Sequence, residues 1–293
     1  MTRIAYLGPE GTVSHEATAH FFPEQEHILV PYRWISDVCL ATVHQDTDIS
    51  VIPIENTIDG SVNPHIDFLI HEIDLPIQAE WIYPSVQNLI GYHSSTNKAS
   101  DIDLSTIHTI VSIPVAIAQC QQFLKNHLPG VTFEHVSSTA EGVRIVKERQ
   151  DPGYAAIGTA TAAQMYELDV LAANITDHEN NYTRFIAVGH HSLTLPRTNL
   201  QKTTILVTLP EDYPGALHQV LSAFAWRRIN LTKIESRPTK KNLGSYFFYI
   251  DIEGSLQSLL LPNAISEIES IGCQVRILGS YPIYSYQTII SEV

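Results

Sequence analysis

The chain has 293 residues, 44% of them hydrophobic and 16% charged, enough for about two globular domains with substantial cores. Seventeen Lys and Arg against 31 Asp and Glu leave a formal net charge of −14 with no acidic tail, which argues against partners such as nucleic acid or an anionic membrane. No apolar run reaches the roughly 20 residues that span a bilayer, and Gly8-Pro9 interrupts the amino terminus before a signal-peptide core develops, so a cytoplasmic protein is expected.

From the amino terminus to about residue 190, short β-rich runs alternate with helical stretches, a pattern that predicts α/β layers. Strands are predicted at Ile4-Ala5-Tyr6-Leu7, Ile49-Ser50-Val51-Ile52, Asn88-Leu89-Ile90-Gly91-Tyr92, Thr109-Ile110-Val111, Val131-Thr132-Phe133 and Ala155-Ala156-Ile157. Helices are predicted over 114–127, which opens on a proline, and over 139–149, where Ser138 and Glu141 have the spacing of a capping box. Ligands of open α/β sheets bind where helix amino termini offer N–H groups at strand ends.

Three segments carry candidate chemistry. Gly8-Pro9-Glu10-Gly11-Thr12-Val13-Ser14-His15 joins a strand to a helix, either as an ordinary turn or as a cradle for a carboxylate or phosphate, and it lacks the spacing of a nucleotide loop. Ile52-Pro53-Ile54-Glu55-Asn56-Thr57 sets an acid, an amide and a hydroxyl at a strand end, either as a cleft wall or as an Asx-type turn closed by Gly60. Asn180-Asn181-Tyr182-Thr183-Arg184-Phe185 places a hydroxyl, a cation and a ring at the entrance of the apolar strand Phe185-Ile186-Ala187-Val188. Cys39, Cys120 and Cys273 lie far apart in apolar surroundings and read as buried thiols. The histidines form no HExxH arrangement, and no metal is expected.

Beyond the loop Pro196-Arg197-Thr198-Asn199, the order of predicted strands and helices is βαββαβ, the ferredoxin-like split unit. Its first helix, 215–228, repeats Leu217, Val220, Leu221 and Phe224 on one face. Asp212-Tyr213-Pro214-Gly215-Ala216-Leu217 before that helix and Glu235-Ser236-Arg237-Pro238 at a strand end form either a small-ligand pocket or a capped helix and an edge turn.

The whole chain resembles the monofunctional prephenate dehydratases that end in an ACT regulatory domain. The resemblance rests on the three segments above with Gly60, Val62 and Ser138-Thr139-Ala140, and in the second half on Gly215-Ala216-Leu217, Leu221, Ile234-Glu235-Ser236-Arg237-Pro238, Gly244 and Tyr246-Phe247-Phe248. It implies a dehydratase domain over 1–190, built as two lobes like a type II periplasmic binding protein. Lobe one would take about 1–80 and 178–190, and lobe two about 81–177, with crossings near 79–84 and 175–182. An ACT domain would follow over 202–281 and a tail over 282–293.

The implied activity is conversion of prephenate to phenylpyruvate, water and carbon dioxide, with no cofactor, and with L-phenylalanine as feedback inhibitor. Thr183, Glu55 and Asn56 are the expected catalytic residues, with Thr183 or a protonated Glu55 as proton source. Gly11, Thr12, Ser14, Thr57, Ser138, Thr139, Arg184 and Phe185 are expected to bind substrate. Gly215, Ala216, Leu217, Glu235, Ser236, Arg237 and Pro238 are expected to bind phenylalanine, and a homodimer or homotetramer is implied. Two departures stand out: Ile113 and Val115 occupy places where the family usually has His and Gln, and Thr57 replaces a commoner serine. A cytosolic amino-acid sensor, an arogenate dehydratase and a prephenate decarboxylase remain alternatives on sequence.

Overall fold

A computed structural model of the chain describes residues 1–93, 103–211, 213–240 and 246–286. They fall into two compact units, one of Met1–Ile73 with Ile82–Phe185 and one of Asp74–Trp81 with the described residues from Ile186 onward.

The first unit has two lobes. Lobe one begins with β1 (Thr2–Leu7), α1 (Val13–Phe21), β2 (His27–Tyr32), α2 (Ile35–Val43), β3 (Ile49–Asn56), β4 (Gly60–Ser61) and α3 (Asn63–His71). β1 runs parallel to both β2 and β3, and its Ile4, Ala5 and Tyr6 are fully buried together with Ile49, Val51 and Ile52 of β3. Runs buried on both faces are what parallel strands beneath helices require. After β3 the chain doubles back through β4, which pairs Ser61 with Glu55 and Gly60 with Asn56.

The chain enters lobe two along β5 (Ile77–Pro84), continues through β6 (Asn88–Gly91), β7 (Thr109–Ser112), α4 (Pro114–Ala118), α5 (Gln121–His127), β8 (Thr132–His135), α6 (Thr139–Arg149), β9 (Tyr154–Gly158), α7 (Ala160–Met165) and β10 (Asp169–Ala172), and returns along β11 (Tyr182–Val188). Among the described residues its sheet has the order β10-β6-β9-β7-β8. Alternation along the strands splits the core in two: Leu89, Ile110 and Ile157 pack under α4 and α5 with Ile117 and Leu124, while Ile90, Val111 and Ala156 meet Val143 and Val146 of α6. β5 and β11 are the two crossings, and each belongs partly to both units.

Three expectations change. β2, β4, β5 and β10 fall outside the predicted strands. The strand expected from Phe185 begins at Tyr182, so Thr183 is its second residue and stands at its entrance. The single helix over 114–127 is two helices, because the Asp177 carboxylate accepts the N–H of Gln122 at 3.0 and 3.1 Å while the Asp177 N–H bonds the Gln119 carbonyl, capping a new helix start.

The second unit is the predicted βαββαβ, made of β12 (Gln201–Thr208), α8 (Ala216–Ala225), β13 (Leu231–Pro238), β14 (Tyr246–Glu253), α9 (Leu260–Ser270) and β15 (Gln274–Tyr284). All neighbours in the order β13-β14-β12-β15 are antiparallel. Ile205, Ile250 and Ile252 from the sheet pack with Val220 and Phe224 of α8 and Ile265 and Ile268 of α9. Leu217 and Leu221 are only half-buried, because the inward stripe of α8 is Ala216, Val220, Ala223 and Phe224.

β15 extends to Tyr284, beyond the expected end of the ACT domain at residue 281. Its end pairs with β5, Ile283 opposite Glu80 and Tyr284 opposite Trp81, so residues 282–284 are sheet rather than tail. The buried Lys202 ammonium meets the buried Glu80 carboxylate at 2.5 Å. Asp212 and Gly244, named in the sequence analysis, and the tail beyond residue 286 lie outside the described residues.

Candidate active site

A cavity of about 720 Å³ opens between the lobes of the first unit, within the range of small-molecule sites. Its wall is built from helix beginnings. Thr12, Val13 and Ser14 come from the start of α1, Trp34 and Ile35 from α2, Asn63 and Pro64 from α3, Ile113 and Val115 from α4, and Ser138 and Thr139 from α6. A helix start carries unpaired backbone N–H groups and the positive end of the dipole, which favour an anion by roughly 0.3–1 kcal/mol at surface exposure, and α1, α2, α3 and α6 each contribute their first residues to this wall. This answers how a chain of net charge −14 creates local positive potential. Arg33 is the one Arg or Lys among the lining residues.

Local chemistry explains why these starts are well formed. Thr12 caps α1, accepting the His15 N–H at 3.2 Å and donating to the Pro9 carbonyl at 3.0 Å. Gly11 takes φ +82 and lies where a Cβ would be 3.1 Å from that of Ala162, and its carbonyl accepts the Thr159 hydroxyl at 2.7 Å. Only glycine combines that angle with so close an approach. Ser138 caps α6 through the Glu141 N–H at 3.1 Å. The Glu141 carboxylate reaches Ser137, one residue earlier than a capping box requires, and the Ser137 hydroxyl holds its carboxyl below the usual range.

Thr183 faces this cavity, and its hydroxyl is held by two side chains. Asn56 Nδ2 donates to Thr183 Oγ1 at 3.0 Å, and Ser85 Oγ lies 2.6 Å from the same oxygen. The orientation of the Asn56 amide is fixed, since its Oδ1 accepts the N–H groups of Ile58 and Asp59 at 2.8 and 3.1 Å. A directed chain continues from it: Asn56 Nδ2 donates to Asn181 Oδ1 at 2.9 Å, Asn181 Nδ2 to Gln119 Oε1 at 2.9 Å, and Gln119 Nε2 to the Asp59 carboxylate at 2.6 Å. The ring of amides spans both lobes, and its polarity is set by a carboxylate that can only accept. His65 also lines the cavity; its Nδ1–H donates to the Pro53 carbonyl at 2.7 Å, and burial pushes its pKa below the ordinary value, so the ring is neutral at pH 7.

The sequence-predicted residues therefore divide. Thr12, Ser14, Asn56, Ser138, Thr139 and Thr183 line the cavity. Glu55 and Arg184 do not: alternation along β3 and β11 turns them to the face opposite Asn56 and Thr183, where Arg184 Nη1 and Glu55 Oε2 pair at 3.1 Å. Phe185 is 1% exposed and belongs to the core. Thr57 donates to the Asn180 carbonyl at 2.5 Å and accepts the Tyr182 N–H at 2.9 Å, so its hydroxyl shapes the approach to β11. Gly11 faces α7. Ser85, Gln119, Asp59 and Arg33 carry no local sequence signal: Gln119 meets Asp59 across 60 residues and Ser85 meets Thr183 across 98.

In the second unit, Gly215 caps α8 at φ +95, Ala216 is buried and Leu217 half-buried. Glu235, Ser236, Arg237 and Pro238 end β13, Ser236 exposed and Arg237 buried.

Fold and cleft define a two-lobed α/β enzyme joined to a ferredoxin-like unit. The family model for prephenate dehydratase matches residues 4–193, and that for the ACT domain matches residues 203–269. The prephenate dehydratase of Bacillus subtilis is 41% identical over 289 residues, covering 96% of this chain and 99% of that one. The structure of the Arthrobacter aurescens prephenate dehydratase in complex with L-Phe superposes with a TM-score of 0.83 at 33% identity, over 96% of this chain and 89% of that one. A structure described as the quorum-quenching acylase GqqA gives 0.81 at 27% identity, over 96% and 98%. The chain belongs to the prephenate dehydratase family, decarboxylating carbon–oxygen lyases, and carries an ACT domain after the catalytic part.

Proposed function

We propose that the cavity between the lobes binds prephenate as a dianion, with its carboxylates at the helix starts and Arg33, and that Thr183 supplies the hydrogen bond that lets the ring hydroxyl depart. The observation that carries this reading is the Thr183 hydroxyl held by Asn56 and Ser85 at the cavity wall. Loss of the ring carboxylate as carbon dioxide sends its bonding electrons into the ring and expels the hydroxyl on the far carbon. One proton, supplied by solvent, joins that hydroxyl to make water, and aromatisation drives the step. A threonine is a very weak acid, so the hydrogen bond acts by stabilising charge that develops on the leaving oxygen. Neither Asn56 nor Ser85 is a base, which favours donation from Thr183 over nucleophilic attack of the kind an acylase needs. Thr12, Ser14, Ser138 and Thr139 complete the wall around the substrate.

L-Phenylalanine is the proposed effector of the ACT unit, with Gly215, Ala216 and Leu217 at the start of α8 and Glu235, Ser236, Arg237 and Pro238 at the end of β13 as its site. Exposed Trp226, Leu259, Ile234 and Ile277 on this unit support assembly as a homodimer or homotetramer. No helix among the described residues is long and apolar enough to cross a membrane, in keeping with a cytoplasmic biosynthetic enzyme. Incubating the full chain with prephenate should release phenylpyruvate, and added phenylalanine should suppress that release. Faster turnover of arogenate would reassign the substrate, and binding of phenylalanine without turnover of either would leave only a sensor.

A further inference from the structure

We propose that Ser85 is a positioning residue for the reaction, directing the Thr183 hydroxyl hydrogen into the cavity. The inference deepens the reading of Thr183 above and rests on it. Ser85 follows directly on β5 and is 4% exposed. Its own N–H donates to the Asn181 carbonyl at 2.8 Å, which fixes the backbone beside the amide ring.

The hydrogen count at Thr183 decides what Ser85 does. A threonine hydroxyl has one hydrogen and two acceptor positions. One acceptor position is filled by Asn56 Nδ2, whose direction is set by the Asn56 Oδ1 contacts with the Ile58 and Asp59 N–H groups. When Ser85 donates across the 2.6 Å contact, the second is filled and the remaining Thr183 hydrogen must point elsewhere, toward the cavity that both residues line. Two donors on Thr183 Oγ1 also draw charge from that oxygen and make its O–H a better donor. α4 presents Ile113, Val115 and Ala116 to the cavity, and the side chains that reach Thr183 Oγ1 are those of Asn56 and Ser85.

No bond to Ser85 breaks in this scheme. As the ring C–O bond breaks, the departing oxygen takes one proton and leaves as water, and Ser85 and Asn56 keep their hydrogen bonds to Thr183 throughout.

The test is a cycle of Ser85→Ala, Thr183→Ala and the double variant in the full chain, with kcat and KM for prephenate and the melting temperature of each. Ser85→Ala is expected to lower kcat about tenfold, the scale of one hydrogen bond, with KM within about twofold and an unchanged melting temperature. In the Thr183→Ala background, the same change should cost nothing more. Ser85→Thr, which keeps a hydroxyl, should recover most of the loss, and Ser85→Cys, a weak donor, should fall between and serves if the alanine variant does not fold. An unchanged kcat in Ser85→Ala, or the same tenfold loss with and without Thr183, overturns the proposal. A near wild-type Thr183→Ala sinks the Thr183 reading itself, a result separate from anything Ser85 does alone.

Discussion

Glu55 and Arg184 pair at 3.1 Å on the face of β3 and β11 turned away from Thr183. The sequence places all four polar residues of these strand ends in one cluster, but the strand period separates an ion pair on one side from the Asn56–Thr183 hydrogen bond on the other. Arg184 is accordingly expected to act on stability rather than on substrate. Arg184→Met should therefore lower stability by about 1–3 kcal/mol, the cost of breaking a charged hydrogen bond, while KM for prephenate changes by less than about threefold. Denaturant midpoints and steady-state kinetics on the same preparation check this. A KM raised about a hundredfold with stability intact would put the guanidinium on the substrate.

Asn56 is the branch point of the amide ring, donating to both Asn181 and Thr183. Asn56→Asp keeps the shape and replaces two donors with acceptors facing two oxygens. At neutral pH kcat should fall by about 10²-fold or more, the usual scale for losing a positioned catalytic group, with circular dichroism unchanged. Activity within a factor of two of wild type would remove the amide from the mechanism.

Burial pushes the Cys39 and Cys120 thiols up to about 12, in Cys120 with a smaller contribution from Asp177. An exposed thiol ionises near 9.0, so the folded state holds protons that the unfolded state gives up between pH 9 and 12. Stability from these thiols is thus complete below about pH 9 and declines as pH rises toward 12. The urea midpoint should drop over that window, and a Cys39→Ala/Cys120→Ala variant should show a shallower drop. A thiol reagent at pH 8 should label neither residue until the protein unfolds; rapid native labelling of either would contradict the assignment.

Lys202 and Glu80 bury opposite charges in the second unit, and Tyr281 donates to the second Glu80 oxygen at 3.3 Å. Lys202→Met leaves that carboxylate buried without the ammonium, and should cost about 3–5 kcal/mol. Joint replacement by Lys202→Met and Glu80→Gln should recover part of it. Because β5 also pairs with β15, a chain cut near Pro196 loses both the ammonium and a strand neighbour, and is expected to be much less stable than the full chain. A truncated protein as stable as the full chain would refute this account of the pair.

Much of the fold was legible in the residues. β-rich runs such as Thr109-Ile110-Val111 and caps such as Ser138 are local physics, and α6 spans the predicted 139–149. The βαββαβ order could be read from turn residues and helical stripes. The break between α4 and α5 could not, because Asp177, about sixty residues on, supplies the new cap. β15 looked shorter than it is because its last residues gain a partner, β5, from far earlier in the chain. At the site, the residue types were visible and their facing was not. Thr183 and Arg184 are neighbours in sequence and opposite in space, and Ser85 became visible only when the fold brought it within 2.6 Å of Thr183.

The central claim is that the Thr183 hydroxyl, held by Asn56 and Ser85, assists departure of the ring hydroxyl. Its most direct test is single-turnover conversion of prephenate to phenylpyruvate by Thr183→Ala and Thr183→Ser beside the unaltered chain. The account predicts a rate lower by about 10²-fold or more in the alanine variant, with the serine variant retaining most of the activity. Equal, near wild-type rates in both variants would contradict it.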